Sequence, residues 1–184
     1  MITFQEHPET GYAMRTWDNA RLSDLTIAFA IDFNTPGELL TRKAAYGKYH
    51  GMSLQFFTPK APSIMKQGVA EILQKRNVKI INIAGNGIYT LKNFGITQEQ
   101  INDYMTDFLR VVIFEMYGEE VELRNGGQTG LDESCGVAGD RLGLTTNVLA
   151  PKNWMFRNIE GRDICSESLF LKRFGPQYDI TDIL

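Results

Sequence analysis

Val121-Glu122-Leu123-Arg124-Asn125-Gly126-Gly127-Gln128-Thr129-Gly130-Leu131-Asp132 reads as a strand, a glycine-rich turn and the first residues of a helix. Two adjacent glycines allow backbone N–H groups to come close to a neighbour with no side chain between. A helix opening at Leu131 aims its unpaired N–H groups and positive dipole end at the same place. That junction suits an anion, above all a phosphate. A strand–turn–helix unit of this kind also predicts an α/β fold.

The rest of the chain agrees with that class. Four further apolar runs read as buried strands: Leu25 to Ile31, Met52 to Phe57, Val78 to Ala84 and Thr145 to Leu149. Their near-continuous apolarity fits strands of a parallel sheet covered on both faces. Helical spacing lies between them. Thr97 and Gln100 predict a capping box. Behind it Ile101, Met105, Phe108, Val112 and Met116 form one apolar face, with Gly118 near the end. Pro36 to Tyr46 and Pro62 to Arg76 each open on a proline, which a first helical turn tolerates. Leu131 to Leu142 carries Cys135, Ala138 and Gly139, small residues that predict close packing on the sheet. The expectation is one Rossmann-like domain over residues 1–184. Its sheet is mostly parallel and of five or more strands, with right-handed crossovers and helices on both faces. The tail from 175 to 184 reads as an appendage that covers an edge or joins a subunit contact.

Composition narrows the function classes. The 184 residues are 43% hydrophobic and 22% charged, ordinary for a globular domain. A net charge of −3 argues against a surface that coats nucleic acid. Cys135 and Cys165 have neither metal-type spacing nor a disulfide framework, which points to a reducing compartment. His7 and His50 stand apart, so no metal site is expected. With no signal segment at the polar N-terminus and no apolar run of about 20 residues, the chain reads as cytoplasmic, in a bacterium or a phage-infected host.

In open α/β sheets ligands gather at the carboxyl ends of strands. Four loops fall there: Gly126 to Gly130, Ala84-Gly85-Asn86-Gly87, Asn34-Thr35-Pro36-Gly37-Glu38, and Ala150-Pro151-Lys152 with Trp154 and Arg157 close behind. One glycine loop alone is ordinarily a tight turn; their convergence predicts a pocket. Individual residues have plainer uses too. Arg15 ordinarily makes a surface salt bridge, and Asp24 caps or closes a turn. Cys135 fills a helix face as a small hydrophobe. Asp132 and Glu133 suit a helix N-terminus, although such a carboxylate also grips ribose hydroxyls in dinucleotide sites. Trp154 and Phe156 either stack on a base or pack at a sheet edge.

Gly126-Gly127-Gln128-Thr129-Gly130-Leu131-Asp132 resembles the GGQTGxD signature of the YpsA-like branch of the SLOG superfamily. Ala150-Pro151-Lys152 resembles the strand end that follows it. Tyr12, Arg15-Thr16, Asn19, Ser23-Asp24 and Thr26 resemble the family's Y-x-x-R-T-x-x-N-x-x-x-S-D-x-T block, which leads to a helix start here spelled Pro36-Gly37-Glu38-Leu39-Leu40-Thr41. In the circularly permuted YpsA-like proteins the GGQTGxD block comes first. In this chain the Arg15 block opens the sequence and Gly126 lies two thirds along, a change of order that leaves the same strand ends meeting.

The resemblance implies a nucleotide or ADP-ribose-like ligand (cyclic forms included) and no firm cofactor. Backbone amides of Gly126 to Gly130 would hold a phosphate. Gly37 and Thr41, with Gly85, Asn86 and Gly87, would line the other side, Arg15 would supply charge, Asp132 would hold ribose and Trp154 would carry the base. Thr16, Asn19, Asp24, Pro36, Glu38, Gln128, Thr129 and Lys152 complete the expected set. The leading expectation is a binding protein, a sensor or a sequestering protein connected with phage defence, assembled as a homo-oligomer. A second is a hydrolase cleaving an N-glycosidic or phosphate bond, with Glu133, Asp132 or Glu38 as general acid/base helped by Arg15. A third is a structural partner protein with a vestigial pocket. The related LOG phosphoribohydrolases carry P-G-G-x-G-T-x-x-E. From Pro36 onward the second glycine and the G-T pair are missing, and Ala44 stands where the glutamate belongs.

Overall fold

Why the sheet orders itself as it does follows from which strands are apolar on both faces and which on one. In a computed structural model, which describes residues 1–47, 51–55, 62–115 and 121–176, the elements run β1 (Ile2–Glu6), α1 (Ala13–Arg21), β2 (Leu25–Ala30), α2 (Pro36–Gly47), β3 (Gly51–Gln55), α3 (Pro62–Arg76), β4 (Ile80–Gly85), α4 (Ile88–Leu91), α5 (Gln98–Phe108), β5 (Glu122–Asn125), α6 (Leu131–Arg141), β6 (Thr145–Ala150), β7 (Met155–Arg157), β8 (Asp163–Cys165) and α7 (Glu167–Phe174). Six strands form one sheet in the order β1-β6-β5-β4-β2-β3, and every pairing within it is parallel. β2, buried along its whole length, lies between β4 and β3. Among the described residues β1 pairs only with β6, at the edge.

The odd positions of β2 and their neighbours form the main core. Leu25, Ile27 and Phe29 join Ile81, Ile83 and Leu123 beneath α3, α5 and α6, and Phe29 meets Phe108 edge-on at 4.9 Å. On the opposite face α2 crosses β2, β3 and β4 with α1 beside it. A second cluster gathers Val148, Phe156, Phe170 and Phe174, held by edge-to-face ring contacts such as Phe156–Phe170 at 6.1 Å. Helices therefore cover both faces, as expected. Gly139 lies directly against Thr146 of β6, the close packing read from the small residues of α6.

Several elements went unread in the sequence, β1, the β7–β8 hairpin and α7 among them. β1 shows only a short alternation, Ile2 and Phe4 inward with Thr3 and Gln5 outward. The β7–β8 hairpin is antiparallel and just three residues a side, too brief for a periodic signal. α7 buries Phe170 and Phe174 alone. The Thr97 capping box is present, Gln100 N–H donating to Thr97 Oγ1 at 3.3 Å and Thr97 N–H to Gln100 Oε1 at 3.0 Å. Thr97→Ala is therefore expected to destabilise the fold by about 1 kcal/mol, a fall of roughly 2–4 °C in Tm, readable by thermal melting. After Phe108 the helix does not keep its pitch. Glu115 N–H reaches back five residues to Arg110 C=O, and the widened turn lets Leu109, Val112 and Ile113 all face the core. Met116 and Gly118 lie outside the described residues, as do Phe56, Phe57 and positions 177–184 of the tail.

Candidate functional site

The strand order reverses between β2 and β4: β3 lies to one side, β5, β6 and β1 to the other. Chain leaving these two strands diverges and opens a crevice at their carboxyl ends. A cavity of about 590 Å³ occupies it, a size usual for small-molecule sites. α1 contributes Arg15, Thr16 and Asn19. The start of α2 contributes Thr35, Pro36, Gly37, Glu38 and Thr41, and β4 with its loop contributes Asn82, Gly85, Gly87, Tyr89 and Thr90. Gly126, Gln128, Asp132 and Arg157 close the ring.

The glycine turn is not an open phosphate cradle. Gly126 N–H donates to Asp132 Oδ2 at 3.1 Å, and the Gln128 N–H bonds the same carboxylate. Gly127 N–H goes to Asn125 Oδ1 at 2.9 Å and Gly130 N–H to Gln98 Oε1 at 2.8 Å. Asp132 is thus the anion that the turn holds. The glycines admit the protein's own groups: Arg15 Nη1 bonds Gly126 C=O and fills the space a Cβ would take, while Gly127 sits against Phe170, 2.5 Å from where its Cβ would stand. The expectation of a phosphate on these amides is corrected: a nearby carboxylate outcompetes an external anion because it is already tethered.

Arg15 is corrected as well. It is no surface residue; it is 6% exposed, with Nη1 3.5 Å from Asp132 Oδ2. Burial drives both members toward their neutral forms, raising the Asp132 carboxyl and lowering the Arg15 guanidinium, and each opposes the other's shift by its charge. Glu38 is 4% exposed. Its Oε1 accepts a 3.4 Å bond from Asn86 Nδ2. Desolvation first, then the Asp132 charge, push its carboxyl up to about 8, against the weaker pull of Arg42. Glu38 therefore carries a proton at neutral pH. Five buried side-chain polar atoms have no partner among the described residues, and three are Arg15 Nε, Asn19 Oδ1 and Glu38 Oε2. All three residues line this one cavity. Buried polar atoms are almost always bonded in native proteins, so three together on the residues of one cavity set it apart.

At the mouth stands Arg157, its guanidinium between the rings of Tyr12 and Tyr89, 5.5 and 5.4 Å from their centroids. Asp163 accepts from its Nε at 2.7 Å and Nη2 at 3.0 Å. Those bonds hold the Asp163 carboxyl below its ordinary value. Tyr12 Oη also donates to Asp163, at 2.8 Å.

Of the residues expected in the site, Arg15, Thr16, Asn19, Pro36, Gly37, Glu38, Thr41, Gly85, Gly87, Gly126, Gln128 and Asp132 are brought together. Asn86 lies beneath them, its Oδ1 accepting from Ile31 N–H at 3.0 Å and Asp32 N–H at 3.1 Å. Thr129 and Gly130 support the loop from behind, Thr129 Oγ1 donating to Arg157 C=O at 2.6 Å. Four fall elsewhere. Asp24 accepts from Lys79 and Ile80 N–H, both at 2.9 Å, at the amino end of β4 and so at the far end of the sheet. Lys152 is exposed in the turn after β6. Trp154 packs edge-on to Phe170, centroids 5.5 Å apart, which is the sheet-edge use. Glu133 points to α7 and pairs with Arg173 at 2.9 Å, which removes it as a general acid. Asn82, Tyr89 and Thr90 were missed. Asn82 carried a legible signal, a polar residue interrupting the apolar run from Val78 to Ala84. Cys135 is fully buried, its thiol pushed far up by desolvation. No group of three or more His, Cys, Asp and Glu among the described residues is arranged to hold a metal ion, and no helix among them is long and apolar enough to cross a membrane.

A sequence model described as the circularly permutated YpsA SLOG family matches residues 2–105. That span contains the Arg15 block, the start of α2 and the Gly85–Gly87 loop, and it ends before Gly126. No curated protein and no solved structure matches the chain.

Proposed function

This chain belongs to the circularly permutated YpsA SLOG family, and we propose that it binds a nucleotide or an ADP-ribose-like molecule in the cleft between β2 and β4, as a sensor or sequestering protein. The observation that carries the reading is the trio of buried atoms without partners, Arg15 Nε, Asn19 Oδ1 and Glu38 Oε2, on one cavity. The residues that carry them line the cavity, and Arg15, Asn19 and protonated Glu38 bring donors and an acceptor to it. Such a neutral array suits the hydroxyls of a ribose or the edge of a base, not a phosphate, because the Asp132 carboxylate disfavours negative charge there. The ligand enters nucleoside end first. Saturation at about 100 times Kd adds about 2.7 kcal/mol, which raises Tm by roughly 5–10 °C for a chain of this size. Thermal shift against a panel of nucleotides and ADP-ribose derivatives reads this, and a panel that leaves Tm unchanged refutes the proposal.

Glu38 supports a second reading, an N-glycosidic hydrolase. Its proton would pass to the departing base nitrogen as the glycosidic C–N bond breaks, while water adds its oxygen to the anomeric carbon and releases a proton. A general acid for that step needs a pKa near the working pH, and Glu38 at about 8 has one. Denaturing the loaded protein separates the readings: intact ligand means binding, free base and ribose phosphate mean hydrolysis.

A further inference from the structure

We infer that Arg157 reads the anionic end of the ligand at the mouth of the cleft, and that Gln128 and Thr129 of the glycine motif are the positioning residues that set it there. This rests on the cleft being the ligand site, and it names the class: a phosphorylated nucleoside over the bare nucleoside.

The interior has no place for an anion. Asp132 already occupies the amides of Gly126 and Gln128 and balances the charge of Arg15; Asn19 Oδ1 adds an acceptor. A ligand's phosphate must face outward, where Arg157 lines the opening. Asp163 takes Nε and Nη2, and Nη1 makes no hydrogen bond among the described residues. The Tyr12 and Tyr89 rings hold the cation by their negative faces and stop it folding away. The guanidinium is therefore fixed with one edge free, the form in which arginine recognises phosphate oxygens.

Its backbone is set as firmly. Among the described residues β7 has only β8 as a strand partner. On its other side the Gln128 side chain stands in for a strand: Nε2 donates to Met155 C=O at 3.1 Å and Oε1 accepts from Arg157 N–H at 3.2 Å. Thr129 Oγ1 donates to Arg157 C=O at 2.6 Å. The polar residues of the glycine turn thus grip the hairpin that carries the arginine, where a phosphate was expected.

The test is calorimetric titration of the full chain with paired probes, adenosine and AMP, guanosine and GMP, cytidine and CMP, uridine and UMP. Wild type is expected to favour one monophosphate over its nucleoside by about tenfold or more, the range of a charge-assisted hydrogen bond. Arg157→Gln should erase most of that ratio, and Arg157→Lys should keep an intermediate ratio. Gln128→Ala should lower the same ratio without removing any charge, an effect a purely structural role would not single out. A ratio near one in wild type overturns the inference and leaves the cleft standing, as does a ratio unchanged in both folded Arg157 variants. Failure of every probe to bind overturns the inference and the cleft reading together.

Discussion

Gly130→Ala is expected to lower Tm by roughly 10 °C or more, a loss on the order of 4 kcal/mol. Gly130 has φ +93° and ψ −127°, a region that side chains disfavour by their own sterics. The surroundings add to the strain. A Cβ would stand 2.7 Å from Ile88 N and 2.8 Å from Gly87 C, and closer still to Asn86 O. All three are backbone atoms, so no rotamer change relieves the clash. The same loops are zipped by Ile88 N–H to Thr129 C=O and Leu131 N–H to Asn86 C=O, both 3.3 Å, and separating them would break these bonds. Gly37→Ala is the matched control, since its Cβ enters open space and a first helical turn accepts alanine; its Tm should move by no more than about 2 °C. Equal melting temperatures for the two variants would show that the loops do not meet this way.

That contrast separates what the sequence made legible from what it hid. Strand–turn–helix at Gly126, the capping box at Thr97 and the apolar runs of β2 and β4 each report a local rule, and each appears where expected. Convergence of the loops at Gly37, Gly85 and Gly126 was legible too, because strand ends of a parallel sheet must meet on one side. What occupies the glycine turn was not. Whether an amide faces a ligand or a tethered carboxylate depends on the rotamer of Asp132 and on Arg15, 111 residues away from Gly126. Separation in sequence likewise hid the pairing of Glu133 with Arg173 and the docking of β7 on Gln128. Trp154 and Lys152 were placed by their distance from β6, yet the chain turns before it reaches the cleft.

A GGQTG turn therefore does two structural jobs here. Its glycines let Arg15, Phe170 and the Asn86–Ile88 backbone approach closely, and its Gln and Thr hold the hairpin that ends in Arg157. On the proposed function, ligand chemistry passes to Arg15, Asn19, Glu38 and Arg157. The motif is a hub that arranges the site, and the residues it arranges are the ones whose substitution should change binding.

Glu38→Gln is expected to flatten the dependence of stability on pH and to stabilise the unliganded fold by a few kcal/mol above pH 8. In the unfolded chain Glu38 loses its proton near 4.5; in the folded chain it keeps it to about 8. Between these values the folded state binds the extra proton, so stability falls as pH rises, by at most about 1.4 kcal/mol per pH unit. Below 4.5 both states are protonated, and above 8 both are ionised, so this contribution is level at each end. Glutamine preserves the shape, an acceptor toward Asn86 and a donor on its other side, but it cannot ionise. Melting curves of wild type and variant should therefore run together near pH 4 and diverge steadily to pH 8. Ligand affinity in wild type should fall above pH 8, where an ionised Glu38 loses its donor and repels, and the variant should hold its affinity across that range. Parallel curves for the two proteins would mean that Glu38 is ionised in the folded state. They would then remove both the neutral polar array and the general acid.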